Sequence, residues 1–316
     1  MTAVDLSAPG KGAPAGFRAP VARLSRRGPQ ETLQAYAFLL PTLLGLTLFW
    51  IGPVVASLLI SFTDWGSAPR VSWLGLENYR TLFTASLFWK VFANTLYYTA
   101  VSVPVGMALS LVLALLVNQD LPGVRLFRAI CFLPSVISMT AVALMWSFLF
   151  NPDLGFINHL IRRIAHVPGP DWVNSVQWAM PSLIFVGVWK WAGYNMVIFL
   201  AGLQAIDRSL YEAAEIDGAR SWTRFVAVTW PGLSPTTLFV LIISLIGSFQ
   251  VFDQTYIMTE GGPAYATLTM SYYIYLNAFQ YFHMGRAAAL AYILFIVVFV
   301  ITVLQFRLQR RWVFYQ

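Results

Sequence analysis

Lys190 is the residue of this 316-residue chain whose chemistry fits its surroundings least, because it lies near the middle of a long apolar segment. Its neighbours in Trp189-Lys-Trp-Ala-Gly-Tyr-Asn195 are aromatic rings and an amide. Burying an ammonium in a membrane costs at least about 2.5–3.5 kcal/mol, so Lys190 must face water or a partner group. Three roles remain open: lining a pathway for a polar substrate, pairing with an acid of another subunit, or bonding to a carbonyl or snorkelling to the membrane surface.

The other reactive side chains form no catalytic or metal-binding pattern. His159, His166 and His283 show no ligand spacing, and the single cysteine, Cys131, excludes an internal disulfide. No Gly-x4-Gly-Lys-Ser/Thr phosphate loop occurs, so we expect no ATP hydrolysis by this chain. A membrane-embedded enzyme would need clustered His, Asp or Glu, which the sequence lacks. We therefore predict no catalytic residue, no metal site and no cofactor on this chain.

Long apolar segments must position these residues. The chain is 58% hydrophobic and only 10% charged, against about 25% charged in soluble domains. Six segments are long enough for membrane helices and lack the alternation of barrel strands. They cover residues 36–62, 91–117, 129–150, 179–205, 233–255 and 287–306. The sequence thus predicts an all-α membrane protein, with kinks at Pro41, Pro53 and Pro104.

The distribution of Lys and Arg predicts the orientation. Thirteen of them fall in the N-terminal tail, the loops 118–128 and 207–230 and the C-terminal tail, against six in the opposite loops. The positive-inside rule therefore places both termini in the cytoplasm. We expect a disordered tail over residues 1–35, a transmembrane domain over 36–306 and a C-terminal tail over 307–316. The same bias explains the net charge of +7, so no nucleic-acid binding is predicted.

The loop between the fourth and fifth segments contains a helical pattern, Tyr211-Glu-Ala-Ala-Glu-Ile-Asp-Gly-Ala-Arg220. Ser209 and Glu212 have the spacing of a capping box. Gly218 stands where a helix would end in a left-handed residue, and a second short helix can follow over 219–225. Pro231 suits the head of the next span. We predict a projecting helix-turn-helix whose small residues let a partner approach closely.

The residues Glu212-Ala-Ala-x3-Gly218-x9-Val228-x-Trp230-Pro231 resemble the Glu-Ala-Ala signature of permease subunits in binding-protein-dependent ABC importers. That signature has isoleucine and leucine where Val228 and Trp230 stand. Further similar segments are Asn94–Thr99, Phe127–Pro134, Phe199–Gln204 and Gly261–Pro263, so the resemblance covers most of residues 36–306. It is greatest to the carbohydrate-uptake branch, which includes permeases of the maltose and glycerol-phosphate type.

The resemblance implies the fold and the partners. The fold would be the six-helix type I ABC importer transmembrane domain, multi-pass in the bacterial cytoplasmic (inner) membrane. The partners would be a second, similar permease subunit, two ATPase subunits that bind ATP and Mg, and an extracytoplasmic sugar-binding protein. The coupling loop 207–231 would dock on the ATPases through Glu212, Ala213, Ala214, Asp217, Gly218, Ala219, Phe225 and Pro231.

The resemblance also implies where a substrate passes. Anchoring on the motifs gives Ser135, Trp189, Lys190, Gly193, Ser244, Ser248 and Gln250 as pathway residues. Met139, Ala192 and Val251 stand at positions in the same regions where polar groups would be expected.

The sequence thus predicts the permease subunit of an ATP-driven importer for a mono- or oligosaccharide. Two alternatives remain. A glycerol 3-phosphate importer of the same family would make a basic group such as Lys190 important. A stand-alone secondary transporter would need carboxylates within the spans or paired broken helices, and the nearest carboxylate, Asp253, lies at the end of a span.

Overall fold

The structure is a computed structural model that describes residues 29–66, 71–119 and 122–314. These residues are mainly helical and form no strand, only one antiparallel bridge between Thr63 and Trp73. Five helices in this part of the chain are long and apolar enough to cross a membrane, or six if one sharply bent pair counts as a single span. The predicted all-α fold is confirmed. The chain divides into two compact units, Met1–Val55 and Ala56–Gln316.

The first span begins with α1, Pro29–Leu46, and continues through a π-helical turn, Thr47–Ile51, into α2, Gly52–Ile60. In that turn the Gly52 amide donates to the Thr47 carbonyl five residues back, directly before Pro53, which has no amide hydrogen to donate. Helix α1 starts before the predicted end of the tail at residue 35. Residues 1–28 of that predicted tail lie outside the described part of the chain.

The second unit contains the remaining helices. They are α3 Glu77–Thr84, α4 Ser86–Val117, α5 Val124–Val136, α6 Met139–Leu149, α7 Phe156–Ala165, α8 Ala179–Gln204, α9 Arg208–Ile216, α10 Ser221–Arg224, α11 Trp230–Gly232, α12 Ser234–Phe249, α13 Asp253–Met258, α14 Met270–Tyr275 and α15 Met284–Leu308. Helices α4, α8 and α15 correspond to the second, fourth and sixth predicted spans, and α4 continues through Pro104.

The third predicted span, 129–150, is not one straight helix. Helices α5 and α6 meet at an angle of 98°. The break is built locally: Ile137 is extended, and the Ser138 hydroxyl accepts a hydrogen bond from the Ala141 amide at 3.3 Å, which caps α6. The prediction of a single helix was wrong because apolar length does not reveal a capping residue that starts a new helix.

The fifth predicted span, 233–255, is interrupted as well. Helix α12 ends at Phe249 and α13 begins at Asp253, so residues 250–252 leave the helical path. Gln250 and Asp253, the polar residues that mark the end of this apolar segment in the sequence, stand at the interruption.

The core of the second unit consists of three clusters of buried side chains, and α4 or α8 contributes to each. One joins α6, α8 and α13 around Trp146 and Leu183. Another joins α4, α14 and α15 around Phe88 and Leu290. The third joins the far ends of α4 and α8 to α12 and includes Met196. Because these interiors are closely packed, α4 and α8 form a fixed frame for the neighbouring helices.

Candidate functional site

A cavity of about 390 Å³ lies among α4, α6, α8, α12 and α13. Its wall combines aromatic rings with neutral polar groups: Tyr98, Trp191, Tyr194, Ser102, Asn195, Ser244, Ser248, Gln250 and Gln254. One carboxylate, Asp253, also lines it, and no lysine or arginine does among the described residues. Such a wall can stack on apolar faces and exchange hydrogen bonds with a neutral, hydroxyl-rich molecule.

Helix α8 turns one face to this cavity. Gly187, Val188, Trp191, Tyr194 and Asn195 line it at helical spacing. The rings of Trp191 and Tyr194 meet edge to face with centroids 6.0 Å apart, and the Asn195 amide nitrogen donates to the Ser244 hydroxyl of α12 at 3.3 Å. The face is therefore aromatic and polar within a span that is otherwise apolar.

A buried polar network joins three helices at the cavity. The amide nitrogen of Gln254 on α13 donates to the Tyr98 hydroxyl of α4 at 2.7 Å and to the Leu183 carbonyl of α8 at 3.3 Å. Gly187 lies so close to the Tyr98 hydroxyl that a Cβ at this position would collide with it. Since buried polar groups are stable only when they are hydrogen-bonded, this network fixes where α13 begins after the break in the fifth span.

Lys190 lies outside the cavity wall and stabilises the break in the third span. Its side-chain nitrogen donates to the carbonyls of Pro134 at 3.2 Å, Ser135 at 3.4 Å and Ile137 at 2.6 Å. These carbonyls belong to the end of α5, where helical partners are missing, and a cation is favoured at a helix C-terminus. The nitrogen also lies 5.1 Å from the centroid of the Trp191 ring. Of the three roles open from the sequence, the structure shows carbonyl bonding, and contact of Lys190 with a substrate or with an acid of another subunit remains a prediction.

The other predicted pathway residues divide into two groups. Ser244, Ser248 and Gln250 line the cavity, as do Met139, Ala192 and Val251. Ser135, Trp189 and Gly193 do not: Trp189 and Gly193 join α8 to α6 and α5, and Ser135 bonds within α5. The Ser135 hydroxyl donates to the Phe132 carbonyl at 2.6 Å, Trp189 packs edge to face on Trp146, and Gly193 abuts the Cys131 carbonyl. Contact of any of these residues with a substrate remains a prediction.

Sequence reasoning missed Tyr98, Trp191, Tyr194, Asn195 and Gln254 as wall residues. The helical period contained a signal for three of them, because Tyr194 and Asn195 stand three and four residues after Trp191 and therefore share a face with it. The pairing of Tyr98 with Gln254 joins residues 156 positions apart, and no local pattern indicates it.

The helix α9 after the fourth span ends as predicted. Gly218 is left-handed, with a φ of 74°. Its amide donates to the Glu215 carbonyl at 3.0 Å, and the Ala219 amide donates to the Ala214 carbonyl at 2.9 Å. This pair of bonds is a Schellman motif, in which a glycine avoids the steric cost of the left-handed conformation.

The predicted capping box at the start of α9 is wrong. Asp207 is the N-cap, and its carboxylate accepts from the Ser209 amide at 2.9 Å. The backbone and side-chain hydrogen bonds from Ser209 lower the pKa of Asp207. Glu212 instead forms an exposed ion pair with Arg208 at 3.3 Å. Asp207 caps the helix because it stands directly before the first helical residue, whereas Ser209 already lies inside the helix.

Several contacts join α9 to the segment that leads into the fifth span. The hydroxyls of Tyr211 and Thr229 are 3.0 Å apart, and the carboxylate of Glu215 pairs with the Arg224 guanidinium. The segment Phe225–Thr229 is a π-helical turn before Pro231. On the other side, buried Ile206 packs in the core cluster at the end of α8. These contacts therefore connect α9 both to the end of α8 and to the segment before α12.

The predicted coupling residues differ in exposure. Glu212, Ala213, Asp217 and Gly218 are exposed, whereas Ala214, Ala219, Phe225 and Pro231 are half-buried. The two most exposed large apolar residues of this loop were missed: Ile216 is 86% exposed and Trp222 is 73% exposed. Trp222 stacks on Phe225 with centroids 5.5 Å apart. Large apolar groups held out in this way are typical of a docking surface.

A helical membrane bundle with a polar cavity between its spans and a projecting loop at one end is the architecture of a permease. Residues 106–313 match the family described as binding-protein-dependent transport system inner membrane component. The chain belongs to this family and is a permease subunit of a binding-protein-dependent ABC importer, a transport component and not an enzyme.

Relatives of known type support this assignment. The chain is 37% identical to the lactose transport system permease protein LacF of Rhizobium radiobacter over 87% of this chain and 93% of the relative. It is 36% identical to the sn-glycerol-3-phosphate transport system permease protein UgpA of Yersinia pestis over 92% and 99%. A solved bacterial ABC transporter that imports the acidic polysaccharide alginate has a chain 26% identical, with a TM-score of 0.79 over 89% of this chain and 96% of that one. The predicted type I importer fold is confirmed.

Proposed function

We propose that this permease passes an uncharged mono- or oligosaccharide through the cavity beside α8. The cavity wall carries the proposal: two aromatic rings, Trp191 and Tyr194, stand beside neutral hydroxyl and amide groups. The apolar C–H faces of a sugar ring lie well on aromatic rings, and its hydroxyls exchange hydrogen bonds with serine and amide side chains. The likeness to a lactose permease supports the same class of cargo.

Glycerol 3-phosphate is the second candidate, because a relative 36% identical is a permease for it. The wall argues against it. A phosphate would face Asp253 and would find no lysine or arginine among the described wall residues. Lys190, the basic group that the sequence offers for a phosphate, donates its hydrogen bonds to three carbonyls instead. The chain's membership of an ABC importer family argues against the alternative of a stand-alone secondary transporter.

The proposed partners are a second, similar permease, two ATPase subunits that bind ATP and Mg, and an extracytoplasmic sugar-binding protein. A solved structure of the alginate transporter, which this chain resembles, is a complex with a periplasmic protein that holds an alginate pentasaccharide. The excess of Lys and Arg near the termini and the α9 loop supports a cytoplasmic location for both termini and for α9. The membrane would be the bacterial inner membrane.

Motion would pass from the ATPases to the cavity through α9. Closure of two ATPase subunits around ATP would move α9, which is bonded to the start of the fifth span through Tyr211 and Glu215. Helices α8 and α12 would then shift together, and both line the cavity. The cavity would change from inward- to outward-facing, because the ATP-bound pair favours one of two states. A loaded binding protein would deliver its sugar to the outward-facing state.

Uptake by vesicles that contain the whole transporter tests the cargo. Labelled neutral mono- and disaccharides and glycerol 3-phosphate would be compared for wild type, Trp191→Ala and Phe299→Ala, the last being an exposed aromatic residue of α15. We expect uptake of a sugar by all three proteins. The half-saturating concentration should rise roughly fivefold in Trp191→Ala, from about 1 kcal/mol of lost ring contact, and should not change in Phe299→Ala. Uptake of glycerol 3-phosphate but of no sugar would overturn the proposed cargo.

A further inference from the structure

Helix α7, between the third and fourth spans, exposes an apolar stripe. Phe156, Leu160 and Ile164 follow one another at i, i+4 and i+8 and therefore share a face, and all three are exposed, Ile164 at 70%. Leu154 before the helix and Val167 after it are exposed too. A continuous stripe of large apolar side chains on a surface helix indicates that something apolar covers it.

A basic stripe runs beside the apolar one. Arg163 is exposed next to Ile164, and His159 and Arg162 follow around the helix, both exposed. The Arg162 guanidinium donates to the Asp153 carbonyl at 2.9 Å, whereas Arg163 is the basic residue nearest the apolar stripe. Apolar and basic stripes side by side on one helix are typical of a helix that lies in a membrane surface, with cations at the level of the lipid phosphates.

The loop around α7 is built so that this face is held outward. The side-chain nitrogen of Asn158, which is buried, donates to the carbonyls of Pro152 at 3.3 Å and Pro170 at 3.0 Å. At the start of the loop, the Asn151 side-chain oxygen accepts from the amides of Asp153 and Leu154 at 3.0 and 2.9 Å. The helix thus begins in a tight turn at the end of α6 and cannot rotate freely.

A chain of contacts also fixes the depth of α7. The Trp172 indole donates to the Asn158 side-chain oxygen at 2.7 Å, and its ring meets that of Trp178 edge to face at 5.2 Å. Trp178 precedes the first residue of α8, a membrane-spanning helix, and tryptophans at such positions lie at the membrane–water interface. Helix α7 is therefore connected through Trp172 to a residue at headgroup level.

We propose that α7 is an interfacial helix that lies on the bilayer, with Phe156, Leu160 and Ile164 among the acyl chains and Arg163 at the phosphates of anionic phospholipids. In the proposed orientation this is the outer leaflet. A soluble protein that docks and leaves in every transport cycle would expose the apolar stripe to water each time it left. The bilayer surface, in contrast, is always beside the helix, and the phosphates of anionic phospholipids complement the basic stripe.

Labels placed along α7 test this assignment in the full-length chain reconstituted in vesicles. Cys131 is the chain's single cysteine, so a Cys131→Ser background allows a spin label at Ile164→Cys or, as a control, at the exposed neighbour Ala165→Cys, away from the stripe. We expect the label at 164 to collide more with lipid-soluble oxygen than with a water-soluble nickel chelate, and the label at 165 to do the reverse. Equal access of the chelate to both labels would overturn the proposal. Protection of 164 only after an extracytoplasmic binding protein is added would overturn it too, because a protein would then be the occupant.

The charge of the lipid is tested separately. The label at 164 would be compared in phosphatidylcholine vesicles with and without phosphatidylglycerol, in combination with Arg163→Gln or with Arg80→Gln, another exposed arginine, on α3. We expect stronger protection from the chelate with phosphatidylglycerol, lost in Arg163→Gln and kept in Arg80→Gln. Equal protection in both kinds of vesicle would overturn the contact with anionic phospholipids.

Discussion

Lys190 and Trp191 are neighbours in the chain with different tasks. The lysine points to the end of α5 and bonds three carbonyls there, while the tryptophan points to the cavity. A lysine in an apolar span suggests transport chemistry, but the carbonyls left without helical partners at a helix break also bind a cation. At this position the charge supports the shape of the third span.

Replacing Lys190 tests this structural role. Lys190→Met removes three partly buried hydrogen bonds from a charged donor, each worth about 1.5–3 kcal/mol, and leaves the carbonyls at the end of α5 without this donor. We expect a clearly lower thermal unfolding midpoint in detergent. Lys90→Met is the control, since the exposed Lys90 bonds a single carbonyl, that of Ala264 at 2.6 Å, and should change the midpoint little. Normal stability with abolished uptake in Lys190→Met would instead support the pathway role.

A glycine is needed at position 218 because of its backbone conformation and not because a side chain would collide with a neighbour. Nothing lies within 4 Å of a Cβ built there, but its φ of 74° is unfavourable for a β-branched residue by about 1–2 kcal/mol. Gly218→Val should therefore open the Schellman motif, whereas asparagine tolerates the left-handed region and Gly218→Asn should keep it. Hydrogen exchange of the Ala219 amide, which bonds the Ala214 carbonyl, measures the difference. Equal protection in both variants would contradict this account of the loop.

The helical elements show which features can be read from local sequence. Six apolar segments indicate the spans, and the left-handed Gly218 follows from its place after an amphipathic turn. The 98° break in the third span does not follow, because it depends on Ser138 as a cap and on a lysine more than 50 residues away. The wall of the cavity shows the same limit. Ser244, Ser248 and Gln250, which line it, were predicted as pathway residues from their places relative to the motifs, whereas the Tyr98–Gln254 pair is a tertiary contact that no local pattern indicates.

The close packing of α5 against α8 can be tested by mutation. Gly193 of α8 abuts the Cys131 carbonyl, and no Cβ fits between them. Gly193→Ala should push the helices apart and destabilise the protein by about 1–3 kcal/mol. Gly247→Ala is the matched control in α12, because nothing lies within 4 Å of its Cβ, and there the better helix propensity of alanine should stabilise by up to about 1 kcal/mol. Thermal unfolding of both variants would decide, and equal midpoints would contradict the close contact.

Within the unit Ala56–Gln316, the cavity and the α9 loop share a frame. Helices α4 and α8 supply residues to the cavity wall, and their far ends form the core cluster that includes Ile206 and Leu233 on either side of the α9 loop. The end of the described chain joins the same region, since the Phe314 amide donates to the Ser234 hydroxyl of α12 at 2.9 Å. In the proposed mechanism, a load on α9 would therefore act on packed elements, which shift as bodies and do not deform gradually.

Purification of the tagged chain from its own membranes, followed by an ATPase assay on the eluate, tests whether this permease is driven through α9. Wild type would be compared with Gly218→Val and Gly218→Asn. We expect ATPase subunits and a second permease to co-purify with wild type and with Gly218→Asn, and the ATPase to be lost or uncoupled from transport in Gly218→Val. An eluate of wild-type chain alone, with no ATP hydrolysis, would contradict the proposed assembly.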